Sequence, residues 1–542
     1  MSCVQTTGIG NKKILKAISL NSGNSMMQKF LARIEKLQSK HLYFILIAFS
    51  AILAARIQYI QHGWINPDTV LYFESARLIA LGDFKEAVTV FNWPLYSLCM
   101  AGVHKLTTLS IHHSAQVLSI VFFAITTASF LKIIELGGGN KKTMLAGALI
   151  LFSSLYIVGD VLEMLMRDQG FWACFLSSLV FFIRFKNNNQ YRDAFLWQIF
   201  AILATLFRIE AIMYLLFLPV LFLLETKDSW HQKIAHFIKC NFLNIIAGLG
   251  IILALSLSNH LSMKHFGRLQ EVFSSKLFNE LTHNLLTKGQ IMSEQVLGKY
   301  LEEFAVIGLL LTFIYVMIVK AISTTGIINF ALVVYSRAQK RLISEPNYGV
   351  LKVTALIALL NMALIITKVF VLSSRYVVPL AFVMMIVAAF QLGKMLTEYS
   401  QGKMKQPAKK LALCLILLFM LGSIIKNIWP KAEGYNFIKD SISWMSNENK
   451  DAQKVYFQDA RMRYFANTPP YTSDSFGWPS FQQKFLNGSI TEYHYLMISI
   501  NRKHPDQEKW MNENLEGYKE IKRFYDSKKN KYVAIYEKLP TR

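Results

Sequence analysis

The sequence predicts a mainly α fold, a polytopic bundle of about 11 transmembrane helices followed by a small extramembrane α/β domain at the C-terminal end. Two observations support this prediction. Hydrophobic residues make up 53% of the 542 residues, and they recur in long apolar stretches. The Lys and Arg residues, which give a formal net charge of +24, cluster in short loops between those stretches. This is the positive-inside pattern of membrane proteins, and it argues against nucleic acid as a partner.

The chain begins with a basic segment, residues 1–41, in which Phe30, Leu31 and Ile34 recur at helical spacing. We expect a cytoplasmic amphipathic lead-in here, not a cleaved signal. A span needs about 20 mostly apolar residues, and residues 42–60 meet that requirement. With the basic end inside, residues 61–110 form the first external loop. Residues 94–109 are short and interrupted by His104 and Lys105, so we predict an interfacial helix.

The remaining spans follow from alternating the sides of the membrane. If residues 94–109 do not cross, every basic loop falls on the cytoplasmic side and residues 258–303 form a long external loop. Residues 322–335 are then a partial helix at the cytoplasmic face. The transmembrane domain covers residues 42–428, and its further spans are predicted at residues 112–134, 144–159, 171–185, 195–207, 211–224, 242–257, 304–320, 351–372, 376–392 and 411–428.

Residues 429–542 are predicted to form an external α/β domain. Residues 454–457, 493–500 and 532–537 have the alternation of strands, and residues 505–527 have the pattern of an amphipathic helix. The aromatic residues between Tyr464 and Trp478 either line a ligand groove or pack within the domain. The five cysteines are scattered without CxxC spacing, which predicts neither a disulfide framework nor a metal site.

Two acidic positions are placed on the external side. Asp68 follows Pro67 at a predicted helix start, where it could cap the helix or serve as a functional carboxylate. Asp168 follows Glu163 and Arg167, which lie four residues apart. In a helix those two would be neighbours, so a structural ion pair is the alternative interpretation for them.

Three further ionisable residues lie at the ends of apolar spans. Arg208 and Glu210 separate two spans, and Arg375 separates two others. Charges at such depths are costly and tend to be functional, although near a helix end they also reach the interface as simple surface groups. Two acidic centres would supply a general base, and two arginines would hold a phosphate or diphosphate through paired hydrogen bonds.

These residues resemble the membrane glycosyltransferases of the C fold type (GT-C), a superfamily that includes protein O-mannosyltransferases and lipid A aminoarabinose transferases. The resemblance covers about residues 42–392 and rests on layout more than on tight motifs. It is carried by Pro67-Asp68-Thr69 with Tyr72, Gly82-Asp83-Phe84, Trp93-Pro94, Arg167-Asp168, Arg208-Ile209-Glu210, and Ser374-Arg375-Tyr376 with Pro379.

The resemblance implies a role for each matched position. Asp68 would be the general base acting on the acceptor hydroxyl or amine, and Asp168 would help to position the acceptor or a metal. Arg375 would hold the phosphate of the donor, with Arg208 as a second candidate. Supporting residues would be Glu163, Arg167, Glu210, Tyr72 and Trp93. Asp68-Thr69 stands where the protein mannosyltransferases have paired acidic residues, a departure that argues against their protein-acceptor chemistry.

The implied reaction is inverting transfer of a sugar from a polyprenyl-phosphate donor to a glycan, lipid or protein acceptor, with membrane lipids around the protein. No cofactor is required, and participation of a divalent cation such as Mg²⁺ or Mn²⁺ stays open. The composition predicts a bacterial inner membrane with the active site and C-terminal domain on the periplasmic side. The competing interpretations are a transporter or flippase of lipid-linked glycans, a polysaccharide polymerase, and a non-catalytic scaffold.

Overall fold

The computed structural model describes residues 26–61, 63–226, 229–257, 268–270, 277–298, 300–337, 343–430, 436–472 and 477–540. Most of the predicted basic lead-in and residues 258–267 and 271–276 of the predicted long loop lie outside the described residues. The chain divides into two compact units. The first unit comprises Met1–Leu53, Val121–Asp160 and Asp168–Asn427, and the second comprises Ala54–Ile120, Val161–Arg167 and Ile428–Arg542.

The fold is mainly α-helical, as predicted. In chain order the helices are α1 (Ser39–Ile60), α2 (Pro67–Leu81), α3 (Phe84–Val90), α4 (Leu95–Thr107), α5 (Ile111–Leu136), α6 (Lys141–Phe152), α7 (Asp168–Asn188), α8 (Tyr191–Phe207), α9 (Ile212–Phe217), α10 (Trp230–Leu257), α11 (Leu277–Met292), α12 (Ala305–Thr325), α13 (Ile327–Arg337), α14 (Glu345–Val369), α15 (Ser374–Ser400), α16 (Pro407–Ile428), α17 (Asn436–Glu448), α18 (Ala460–Phe465), α19 (Trp478–Leu486) and α20 (Pro505–Asn514).

The protein is a multi-pass membrane protein. Among the described residues, six helical stretches are long and apolar enough to cross a bilayer, those of α1, α5, α12, α14, α15 and α16. Helix α6 and the π-helical turn Leu155–Val161, bent by 45° at the break between them, would together make a seventh. The predicted total of eleven is not confirmed, because α7 to α10, at the other predicted spans, do not reach the same length and apolar content.

Two short helices agree with the predicted topology. Helix α4 has 13 residues, which at about 1.5 Å per residue is too short to cross the roughly 30 Å hydrocarbon core. Helix α13 has 11 residues and is separated from α12 by Gly326, whose φ of 89° ends the preceding helix. Residues 322–325 belong to α12, so the predicted partial helix begins later than expected.

Glycines set the packing of the first unit. A Cβ at Gly393 of α15 would lie 2.6 Å from the Cα of Thr143 in α6, and one at Gly147 of α6 would lie 2.3 Å from Ile134 Cδ1. Small residues of this kind let membrane helices approach closely and gain dispersion contacts, which lipid does not oppose. The break after α6 is satisfied by Asn427 of α16, whose Nδ2 donates to two carbonyl oxygens there at 3.1 and 3.2 Å.

In the second unit, the region of the predicted first external loop folds as three helices. Asn66 caps α2 by accepting the Asp68 amide at 3.0 Å, and Gly82 ends it in the left-handed conformation with φ 92°. Asp83 caps α3 in the same manner, accepting the Glu86 amide. Short helices joined by such caps fit a loop that lies along a membrane surface instead of crossing it.

The C-terminal part of the second unit contains a four-stranded sheet of order β1-β2-β4-β3, formed by Val455–Phe457, Tyr495–Asn501, Tyr518–Tyr525 and Lys531–Lys538. β1 pairs with β2 in parallel, and the other two pairs are antiparallel. Side chains from α19 and α20 pack on one face, and side chains from α17 and α18 pack on the other. Alternate residues of the central strands therefore point into two separate cores.

This domain confirms the predicted strands but corrects one element. The predicted helix over residues 505–527 ends at Asn514, and Tyr518–Tyr525 is a strand paired with β4. Leu515-Glu516-Gly517 interrupts the helix, and the following residues alternate well enough to form a hairpin strand. Trp478 packs against Phe481 and Trp510, so it belongs to the core and not to a groove.

Candidate active site

The best-defined charged cluster in the first unit is built around Arg208. This residue ends α8 with an extended backbone, φ −144° and ψ 119°, and turns the chain into the 3-10 turn Ile209–Ala211. Its guanidinium Nη1 donates to Asp168, while Nε and Nη2 donate to the two oxygens of Glu210 at 3.3 and 3.4 Å. The side chains of Arg208 and Asp168 are only 2% and 1% exposed. A single arginine therefore balances two carboxylates away from water.

Gly170 explains why Arg208 and Asp168 meet. A Cβ at Gly170 would lie 2.4 to 2.7 Å from three ring atoms of Phe207, the residue just before Arg208. Only glycine lets the end of α8 come this close to the first turn of α7. The close approach of the two helices brings the guanidinium onto the carboxylate.

Asp168 keeps one oxygen available. It is the first residue of α7, where the positive end of the helix dipole favours a carboxylate. Arg208 binds Oδ1, whereas Oδ2 is buried and has no hydrogen-bond partner among the described residues. A buried carboxylate oxygen of this kind is suited to accept a hydrogen bond from a ligand hydroxyl or amine.

Arg375 lies in the first turn of α15, a helix of 27 residues that begins after Ser373. The guanidinium carbons of Arg208 and Arg375 lie 4.8 and 5.4 Å from the centre of the same Tyr376 ring. Arg375 is half-buried, in contrast to Arg208. Tyr156 lies within electrostatic range of Asp168 and of both arginines. The structure thus brings Asp168, Arg208, Glu210 and Arg375 together, which chain order alone does not require.

Asp68 belongs to the second unit, in the first turn of α2, where it is exposed. The interpretation that Asp68 caps the helix is wrong, because the cap is Asn66. The neighbouring Thr69 donates from Oγ1 to the Met164 carbonyl oxygen at 2.9 Å and so ties α2 to the segment Val161–Arg167. The Asp68 carboxylate is therefore not required for capping.

The other predicted residues of the second unit have packing contacts. Glu163 is buried and Arg167 is half-buried, but the chain between them is not helical, so the spacing that predicted an ion pair does not apply. Arg167 instead lies 5.2 Å from the centre of the Phe91 ring. Tyr72 packs edge-on against Phe91, and Trp93 is buried.

The sequence analysis missed three supporting residues. Tyr376 was noted only as part of a motif, although its ring contacts both arginines. Asn361 of α14 donates from Nδ2 to the Glu210 carbonyl oxygen at 3.1 Å and holds the turn after Arg208. A polar residue within an apolar span was the available signal for Asn361, and a glycine beside Asp168 was the signal for Gly170. In the part of the chain that the structure describes, no three His, Cys, Asp or Glu residues are grouped to hold a metal ion.

Comparison with known proteins gives structural likeness only. No family model matches the sequence, and no curated protein matches it. Among solved structures, the chain is similar to arabinofuranosyltransferase AftD from Mycobacteria, in a mutant form (13% identity, TM-score 0.47, 93% of this chain and 42% of that one) and in a second structure (12%, 0.43, 94% and 40%). It is also similar to ArnT from Cupriavidus metallidurans bound to undecaprenyl phosphate (12%, 0.48, 92% and 98%). The chain thus spans less than half the length of AftD.

Proposed function

We propose that this membrane protein is an inverting glycosyltransferase that takes a sugar from a polyprenyl-phosphate donor and transfers it to an acceptor at the external face. The observation that carries the proposal is the cluster of Asp168, Arg208 and Glu210 with Arg375 beside it. Buried charges in a membrane protein are costly to keep and usually mark a functional site. A site with carboxylates and arginines together suits the transfer of a group that leaves as a phosphate.

Arg375 is the proposed ligand of the donor phosphate. It lies at the N-terminal end of α15, where the helix dipole and the guanidinium both favour an anion. Arginine also matches phosphate with two parallel hydrogen bonds. Arg208 is already bound to two carboxylates, so its proposed role is to position Asp168.

The proposed step is a direct displacement. Asp68 takes the proton from the acceptor hydroxyl or amine, and the acceptor atom forms a bond to the anomeric carbon of the sugar. The bond between that carbon and the phosphate oxygen breaks, and the electron pair stays on the polyprenyl phosphate, where Arg375 balances the charge. Asp168 accepts a hydrogen bond through Oδ2 and orients the acceptor or the sugar.

The test is sugar transfer from a radiolabelled polyprenyl-phosphate sugar pool into membrane glycans at matched expression. Asp68→Asn is expected to lower transfer by about 10² to 10⁴-fold, the usual contribution of a general base. Asp506→Asn is the matched control, because Asp506 also follows a proline in the first turn of an exposed helix. Loss in both variants, or in neither, would remove Asp68 from the mechanism.

The transfer needs no cofactor in this proposal, since the leaving phosphate is held by arginine. Treatment of the membranes with EDTA tests this point. Unchanged transfer is expected. Loss of transfer that Mg²⁺ or Mn²⁺ restores would show that a divalent cation takes part in the reaction.

The proposal also includes an orientation, with α2 to α4 and the C-terminal domain on the periplasmic side of a bacterial inner membrane. Support comes from the basic loops between the apolar stretches, which follow the positive-inside rule. Lys450→Cys places a thiol on an exposed position of the C-terminal domain. A maleimide reagent that does not cross the inner membrane is expected to label this thiol in osmotically opened cells, and labelling only after lysis would reverse the orientation.

A further inference from the structure

The second unit contains a groove whose residues are separate from the charged cluster. Its volume is about 670 Å³. One wall is formed by Ala55 and Tyr59 of α1, and another by Val117 and Ile120 of α5. Both helices are apolar enough to span the membrane, and the Tyr59 side chain is 70% exposed. These walls therefore face the region where lipid chains lie.

The polar side chains of the groove converge on one point. A Cβ placed on Gly63 would lie 3.0 Å from Lys439 Nζ and 3.9 Å from His112 Nε2. Gly63 also has φ 72°, a conformation that favours glycine. Lys439 reaches this point from α17 and lies 5.2 Å from the centre of the Phe465 ring. An ammonium group and an imidazole edge thus share a space that only glycine leaves open.

The hydrogen bond of His112 sets what it offers to a ligand. The Tyr464 hydroxyl lies 3.3 Å from His112 Nδ1. His112 Nε2 is buried and has no hydrogen-bond partner among the described residues. When the Tyr464 hydroxyl donates to Nδ1, the ring proton is on Nε2, and His112 presents a neutral N–H donor next to Lys439. Burial lowers the pKa of the Lys439 ammonium, an effect that a neighbouring anion would oppose.

We propose that this groove binds an anionic phospholipid of the surrounding bilayer. The phosphodiester lies against Lys439 and His112, and an acyl chain follows the apolar walls at Ala55 and Val117. A phosphodiester carries one negative charge, which matches one ammonium group and one neutral donor. This site is independent of the proposed transfer reaction, and it would hold the C-terminal domain to the membrane surface through a lipid.

The chemistry of the groove favours this occupant over its alternatives. A free phosphate ion would use the polar end but leave the apolar walls without a partner. A zwitterionic phospholipid carries its own cation beside the phosphate, which weakens the attraction to Lys439. A polyprenyl phosphate is a monoester that carries up to two negative charges, more than one ammonium group balances.

The test uses the purified full-length protein and native mass spectrometry with added dioleoylphosphatidylglycerol or dioleoylphosphatidylcholine. The wild type is expected to bind the anionic lipid more tightly. Lys439→Gln is expected to weaken that binding by about tenfold, the effect of one lost charge-assisted hydrogen bond, with little change for the zwitterionic lipid. Lys450→Gln, which removes an exposed lysine just after α17, is the matched control and is expected to bind as the wild type does.

Tyr464→Phe is a second variant that retains the ring and removes only the hydroxyl that orients His112. It is expected to weaken binding of the anionic lipid less than Lys439→Gln does. Equal binding of both lipids by the wild type, or equal behaviour of Lys439→Gln and Lys450→Gln, would overturn the proposal. Displacement of the lipid by inorganic phosphate at the same concentration would indicate a site for the free ion. Displacement by undecaprenyl phosphate at a lower concentration would identify a different lipid and would equally overturn it.

Discussion

Replacing Arg208 with methionine is expected to destabilise the first unit strongly. The substitution keeps much of the side-chain volume and removes the charge. It leaves the carboxylate of Asp168, which is 1% exposed, without its partner. Removing one member of a buried ion pair typically costs about 3 to 5 kcal/mol, because the remaining charge stays desolvated. The upper half of that range is expected, since Glu210 loses the same guanidinium.

The assay is unfolding of the purified protein in detergent as the mole fraction of SDS is increased. Labelling of the buried Cys174 and Cys240 thiols reports opening of the first unit. Arg192→Met is the matched control, because Arg192 is exposed on α8, the helix that ends before Arg208. The control is expected to change the unfolding free energy by no more than about 0.5 kcal/mol.

A double variant separates loss of a partner from loss of packing. Arg208→Met combined with Asp168→Leu removes both charges, and well-packed apolar replacements of a buried ion pair are often neutral. Most of the lost stability is therefore expected to return. If Arg208→Met unfolds as Arg192→Met does, or if the double variant is weaker than the single one, the described burial of this pair is incorrect.

Three further predictions concern packing and pH. Gly170→Ala pushes on the Phe207 ring and is expected to cost about 1 to 3 kcal/mol and to lower sugar transfer without removing a charge, with partial recovery in Gly170→Ala/Phe207→Leu. Asn427→Ala leaves two carbonyls unsatisfied at the break after α6, and a loss of about 2 kcal/mol or more is expected in the SDS titration. The hydrogen bond from Tyr532 lowers the pKa of the Glu508 carboxyl, so its stabilising effect is present at neutral pH and is lost as the pH falls below about 4 through the lowered value. Hydrogen exchange of β3 in the wild type should approach that of Glu508→Gln in acid, and equal exchange at neutral pH would contradict this assignment.

The parts of the fold set by local patterns were predictable. The apolar lengths of α1, α5 and α15 predict spans, because bilayer thickness fixes the requirement. The strand β4 was predictable from its alternation. Residues 505–527 were misassigned because a short helix and a following strand together imitate the period of one longer amphipathic helix.

The candidate site was predictable only as a set of residues on one side. Arg208 and Asp168 were each identified from an apolar context, yet their pairing depends on the approach of α7 and α8 at Gly170. That both arginines lie against Tyr376 depends on packing between helices distant in sequence. Such contacts are long-range, and no local spacing encodes them.

The central claim is that the protein consumes a polyprenyl-phosphate sugar. The most direct measurement is release of polyprenyl phosphate by the purified protein from a labelled donor in the presence of membrane acceptors. The wild type is expected to release it in step with sugar transfer, and Asp168→Asn to do so at least about 10²-fold more slowly. Absence of release by a folded wild-type protein, or equal release by Asp168→Asn, would contradict the assignment.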